Sequence, residues 1–169
     1  LSPEKYEEVL NWFYDVLKEK KLELKATCAP HFFRILYQRA KEDGISVKEL
    51  FSAPHGSEDV AKEGAGMAAM TRGCLAATGV CFVSHKGDVF PCGYLPVTAG
   101  NIKERPLSEI WASSPIFNEL RDLSKIEGKC GVCEFLHVCE GCRARAFGEV
   151  GSYLAEEPYC IYQPKRNRS

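Results

Sequence analysis

The stretch Cys130-Gly-Val-Cys133-Glu-Phe-Leu-His-Val-Cys139-Glu-Gly-Cys142 constrains this chain more than any other. Two CxxC pairs stand five residues apart, and a lone Cys160 follows them. Cys74, Cys81 and Cys92 lie upstream, so eight of the nine cysteines fall between Cys74 and Cys160. Thiols at that density point to metal centres or disulfides. About four thiolates complete one site, so eight are enough for two. An odd total argues against a closed secreted disulfide framework. Metal-bound thiolates in a reducing cytoplasm fit better.

Composition narrows the partners. The 169 residues suffice for one domain or a little more, and 22 basic side chains balance 23 acidic ones. That balance offers no electrostatic footprint for nucleic acid or an anionic membrane surface. No apolar run is long enough to span a membrane, and no signal peptide opens the chain. The sequence starts at Leu1 and enters a helix at once, as expected of a portion of a longer polypeptide.

Ser2-Pro3-Glu4 carries a helix start: a capping hydroxyl, a proline in the first turn and an acid at the positive end of the dipole. Tyr6, Val9, Leu10, Phe13, Val16 and Leu17 share one face, which predicts a helix to about Lys20. Leu22 to Thr27 alternates and predicts a short strand, and Phe32 to Asp43 predicts a second helix stopped by Gly44. Residues 1–50 thus form a helix–strand–helix unit. Residues 51–73, punctuated by Pro54, Gly56, Gly64, Gly66 and Gly73, read as a flexible linker. The tract from Gly64 to Met70 lacks the Gly-Lys-Ser/Thr ending of a phosphate loop. Residues 74–169 open with a β-hairpin, Cys81 to Cys92, that turns at Gly87 beside His85 and Lys86. A loop from Gly93 to Asn101 comes next. Short helices follow over Pro106–Trp111 and from Ser114 to about Leu123, then coil and short helix from Gly128 to Cys160, and a solvated tail from Pro164.

On the residues alone, zinc, iron–sulfur clusters and disulfides all remain open. Structural zinc normally uses two ligand pairs separated by about ten or more residues, and the gap from Cys133 to Cys139 is shorter. A cubane accepts ligands from close turns together with one distant cysteine.

A family resemblance adds to this. The order is Cys74, twelve residues, Gly87, four residues, Cys92, then Cys130-x2-Cys133-x5-Cys139-x2-Cys142, then Cys160. It resembles the SPASM domain, which extends many radical S-adenosylmethionine enzymes and holds two auxiliary [4Fe-4S] clusters. The family usually has three residues between the last two cysteines of that run; here there are two, Glu140 and Gly141. The wording Gly73-Cys-Leu-Ala-Ala-Thr-Gly, Cys81 to Pro96, Gly141-Cys-Arg-Ala-Arg-Ala146 and Tyr153 to Cys160 is similar to enzymes that make haem from sirohaem-derived intermediates and to haem d1 enzymes.

The resemblance implies an α+β fold: a small iron–sulfur domain with a β-hairpin and short helices, preceded by the remnant of a partial (β/α) barrel. It implies one cluster on Cys74, Cys81, Cys92 and Cys142 and another on Cys130, Cys133, Cys139 and Cys160. The radical-generating motif CxxxCxxC is absent from these residues. S-adenosylmethionine and a third cluster are therefore expected in another part of the parent enzyme, and this portion alone is expected to be inactive. The implied reaction is oxidative decarboxylation of iron-coproporphyrin propionates to vinyls, with an electron donor or acceptor protein as partner.

Cys28 and His31 follow the predicted strand, where a barrel gathers its chemistry. They are candidate catalytic residues, with a buried small hydrophobe and a helix cap as the plainer readings. Arg34, Arg72, Arg143 and Arg145 are candidates to bind substrate carboxylates, since a guanidinium fork suits them; a structural role is the plainer reading for each. Competing functions are removal of acetate side chains in the haem or haem d1 branch, radical modification of a peptide or maturation of a protein, and a zinc-stapled interaction module.

Overall fold

A stripe of apolar side chains becomes a helix only when another surface covers it. The computed structural model, which describes residues 1–22, 24, 26–51 and 72–165, shows two such surfaces. Helix α1 (Pro3–Lys18) starts where Ser2 Oγ accepts from Lys5 N–H, and it buries Leu10, Tyr14 and Leu17. Helix α2 (His31–Glu42) answers with Phe32, Ile35, Leu36 and Ala40. The Tyr14 hydroxyl donates to Asp43 at 2.7 Å, and the Arg39 guanidinium covers the Tyr14 ring at 4.6 Å. Gly44, at φ 69°, lets Ile45 N–H reach the Ala40 carbonyl and Gly44 N–H the Lys41 carbonyl, closing α2. A single turn, α3 (Val47–Leu50), is held by a reciprocal Ser46/Glu49 cap and buries Leu50 against the same core.

The strand expected over residues 22–27 is not seen among the described residues of that segment. Leu22, Leu24, Ala26 and Thr27 are described, and none belongs to a strand. Alternation supplies one face, but a strand also needs a neighbour for its N–H and C=O groups, and none lies beside this segment among the described residues. Of the expected linker, residues 52–71 lie outside the described residues, as does the tail beyond Lys165.

The second surface is a three-stranded antiparallel sheet of β1 (Phe82–Val83), β2 (Asp88–Phe90) and β3 (Gly100–Asn101), in that order. Phe82 pairs with Phe90 and Val83 with Val89, so the hairpin turns at Gly87, whose φ is 93°. His85 and Lys86 are exposed there. The expected loop 93–101 instead ends in β3, with Val89 opposite Gly100.

Helices α4 (Leu107–Ser113) and α5 (Pro115–Arg121) cover the sheet with Ile110, Phe117 and Leu120. Ser114 occupies the cap position of α5, but its hydroxyl makes no cap hydrogen bond and is buried without a partner. A 3-10 turn (Leu123–Lys125) leads into α6 (Gly128–Gly131), α7 (Leu136–Cys139) and α8 (Arg143–Val150).

The two cores meet where α2 packs on α7, and Arg145 lies over the Tyr6 ring at 5.2 Å. The result is an α+β fold of short helices and one small sheet. Among the described residues no helix is long and apolar enough to cross a membrane.

Candidate metal centres

Eight of the nine cysteines are buried or half-buried, and Cys28 is exposed. Cys81 and Cys92 flank the hairpin. Cys74 is carried in by the main chain: Gly73 N–H donates to the Val138 carbonyl at 2.8 Å and Cys74 N–H to the Cys139 carbonyl at 3.1 Å. That approach requires glycine, because a Cβ on Gly73 would lie 1.9 Å from the Cys139 oxygen.

Glu140 and Gly141 follow α7 with φ of 62° each, two left-handed residues in succession. This turn makes the two-residue spacer workable. It aims Cys139 and Cys142 into different cavities.

The larger cavity, about 380 Å3, is lined by Cys74, Cys81, Cys92 and Cys142. Its mouth carries Cys28, with Phe32, Phe33, Phe51 and Tyr94 around it. The smaller, about 20 Å3, is ringed by Cys130, Cys133, Cys139 and Cys160. The eight thiols are therefore sorted into two interleaved groups of four.

Among the described residues no three His, Cys, Asp or Glu side chains converge as they would on a single metal ion. Cys74, Cys81, Cys92 and Cys142 line a space large enough for a multi-atom group. The donor chemistry suits iron–sulfur clusters, which take four cysteines each. In the smaller cavity the thiols must spread to admit an inorganic core. Burial pushes the Cys74 thiol up to about 11 and raises those of Cys133, Cys139, Cys142 and Cys160. These thiols hold their protons until a cation replaces them, so loading releases protons.

Cationic groups are distributed unevenly. Arg34, almost fully buried, lines the smaller cavity and grips Glu7 with both carboxylate oxygens at 2.5 and 2.6 Å. Its guanidinium also covers the Tyr162 ring at 4.9 Å. Arg143 donates to the Gly141, Tyr153 and Ala155 carbonyls. Arg145 pairs with Glu157.

These three arginines are engaged in the fold, and among the described residues Arg34 Nε and Arg143 Nη2 are buried without a hydrogen-bond partner. Arg72 differs: its side chain is 45% exposed, lines the larger cavity and meets Glu140 at 3.3 Å. Of the two other candidates, Cys28 is exposed at the cavity mouth with φ 57°. His31 lines neither cavity; it is fully buried, its ring 4.9 Å from Tyr6, and neither nitrogen has a hydrogen-bond partner among the described residues.

Two residues carry more than the sequence suggested. Glu7 neutralises Arg34, and its only signal was an acid on the half-buried edge of α1. Glu157 lines the smaller cavity and bonds the Cys142 main chain, and its signal was an acid three residues before the last cysteine.

Residues 74–143 match the SPASM family, an iron-sulfur cluster-binding domain. The chain is 56% identical to an AdoMet-dependent heme synthase of Methanosarcina barkeri, over 97% of this chain and 43% of the relative. It is 51% identical to one of Nitratidesulfovibrio vulgaris, over 98% of this chain and 42% of the relative. The chain carries a SPASM domain and is related to the AdoMet-dependent heme synthases. Similarity to a PqqA peptide cyclase of Streptomyces rochei, at 39%, covers 50% of this chain and 25% of that protein. The SPASM domain and its helical neighbour thus span less than half the length of the heme synthases they match. The chain is part of a radical S-adenosylmethionine enzyme family, and its SPASM domain is of a kind that binds iron–sulfur clusters.

Proposed function

We propose that this chain is the auxiliary-cluster portion of a radical S-adenosylmethionine enzyme of haem biosynthesis. We assign the parent reaction as oxidative decarboxylation of iron-coproporphyrin propionates to vinyls, in the cytoplasm. The observation that carries this reading is identity above one half to a heme synthase along nearly the whole chain, α1 and α2 included. The peptide cyclase similarity covers only half of it, as a shared cluster domain alone would. Peptide modification and removal of acetate side chains are therefore secondary readings.

In this reading Cys74, Cys81, Cys92 and Cys142 hold one [4Fe-4S] cluster, and Cys130, Cys133, Cys139 and Cys160 hold a second. When bound, such clusters accept and pass on single electrons, which a decarboxylation that forms a vinyl must shed. Arg34 places a buried cation beside the second group of thiols, and Phe82 and Tyr94 border the first. Arg72 is the guanidinium available to a substrate carboxylate, and Cys28 the thiol available at the cavity mouth.

The α1–α2 unit is assigned as the closing part of a partial barrel. The S-adenosylmethionine site and a third cluster are assigned to a part of the protein outside these residues, and an electron-carrying protein is the partner.

Iron, zinc and acid-labile sulfide, measured on anaerobically purified and reconstituted protein, test the reading. About eight iron and eight sulfide per chain are expected from two cubanes. Two zinc and no sulfide would replace it with a zinc-stapled module.

A further inference from the structure

Glu157 is a fully buried carboxylate placed between the two thiol groups. Oε2 accepts from the main-chain N–H of Cys142 at 2.6 Å, in the first group. The main chain of Glu157 faces the second group: its N–H donates to Cys130 Sγ at 3.3 Å, and its carbonyl accepts from Cys160 N–H at 3.4 Å. One residue therefore touches three cysteines in both groups.

The carboxylate is itself fixed. Arg145 donates from Nε to Oε1 at 2.6 Å and from Nη2 to Oε2 at 3.1 Å, and Tyr159 N–H donates to Oε1 at 3.1 Å. The Arg145 guanidinium is held over the rings of Tyr6 and Tyr159 at 5.2 and 5.4 Å. Such a network has a single low-energy arrangement, because every acceptor lone pair facing the protein is used.

We propose that Glu157 is a positioning residue that locks the two cluster sites to each other and, with Arg145, sets the difference between their reduction potentials. The inference rests on the two-cluster reading above. A reduced cluster carries one more negative charge than an oxidised one, so a fixed carboxylate nearby opposes reduction and a fixed guanidinium favours it. The carboxylate accepts from the Cys142 main chain, whereas the hydrogen bonds of Glu157 to the other group, whose cavity it also lines, run through its main chain. Changes of charge at the Glu157–Arg145 pair act first on the Cys142 site.

The test is a redox titration with dithionite, followed by electron paramagnetic resonance, on the full protein reconstituted without oxygen. The two signals are assigned with Cys81→Ala, which removes the first site, and Cys133→Ala, which removes the second. Glu157→Gln keeps the shape and an acceptor for Cys142 N–H while removing the charge. It is expected to raise the midpoint potential of the Cys142 site more than that of its neighbour, with iron and sulfide unchanged. Arg145→Gln is expected to move the same potential the opposite way. Opposed shifts confined to one site are something that loosened packing does not produce.

Shifts of the same sign in both variants, equal shifts at both sites, or no shift would overturn the proposal. If Glu157→Gln loses iron, Arg145→Gln and Glu157→Asp decide alone: the first lowers the Cys142-site potential and the second leaves it near the parent value, or the proposal falls. Absence of clusters in the unmodified protein defeats the two-cluster reading instead, before either variant is made.

Discussion

His31 makes the stability of this fold depend on pH in a direction that can be worked out. Its ring is fully buried, neither nitrogen finds a hydrogen-bond partner among the described residues, and burial lowers its pKa from 6.5 to about 4. Glu157 opposes the shift, and Arg145 and Arg34 add to it. The unfolded chain takes up a proton near pH 6.5, but the folded chain does so only near 4. The unfolded state therefore binds more protons between those values, and stability falls as pH is lowered through them.

At pH 5.5 the imbalance amounts to about 1.4 kcal/mol relative to neutral pH, a tenfold change in the folding equilibrium. Below about pH 4 this contribution stops growing. Other groups also titrate, so the measurement is a difference between proteins. Denaturant unfolding of the reconstituted protein and of His31→Phe is compared at pH 7.5 and 5.5. Phenylalanine keeps the ring against Tyr6 and removes the orphaned nitrogens, so the variant should lose about 1.4 kcal/mol less on acidification. Equal losses in both proteins would refute the assignment of a neutral, unpartnered imidazole.

Further outcomes follow from the interleaved thiols and their supports. Cys142→Ser and Cys160→Ser should each remove about four of eight iron atoms, and the iron lost should belong to different sites by their resonance signals. Gly73→Ala brings a methyl group onto the Cys139 carbonyl; it should cost about 1–3 kcal/mol and deplete iron from both sites, read by unfolding and metal analysis. Glu7→Gln leaves the buried Arg34 guanidinium without its countercharge and should cost about 3 kcal/mol in denaturant unfolding. Cys28→Ser should leave iron content unchanged while lowering turnover of the parent enzyme on the proposed porphyrin substrate.

Local chemistry was legible in the sequence, and long-range pairing was not. The stripe of α1 and the Ser2-Pro3 start are written in contiguous residues, as is the hairpin turn at Gly87. The alternation of residues 22–27 was equally visible, but none of its described residues belongs to a strand, because a strand depends on a neighbour that sequence spacing does not supply. β3 escaped notice because two residues carry no period; Val89 across from Gly100 makes it a strand.

The same distinction holds at the site. The cysteines declared themselves by density, and their division into two groups came through resemblance. The roles of Arg34, Arg143 and Arg145 did not show, since a guanidinium bound to Glu7, to three carbonyls or to Glu157 reads identically in one dimension. The four candidate arginines separate only through their partners.

The left-handed pair Glu140–Gly141 has a consequence for how the protein comes into being. Because it sends neighbouring cysteines to different cavities, neither site can be completed from a contiguous run of chain. A nascent polypeptide has all four thiols of the first group only once Cys142 has been made, and of the second only once Cys160 has. Until then it carries incomplete sets of three or fewer, open to oxidation or to a wrong metal. Delivery of cofactor to either site therefore waits on Cys142 or Cys160, and a carrier that released its cargo to the CxxC pairs as they emerged would be supplying ligands that belong to two separate destinations.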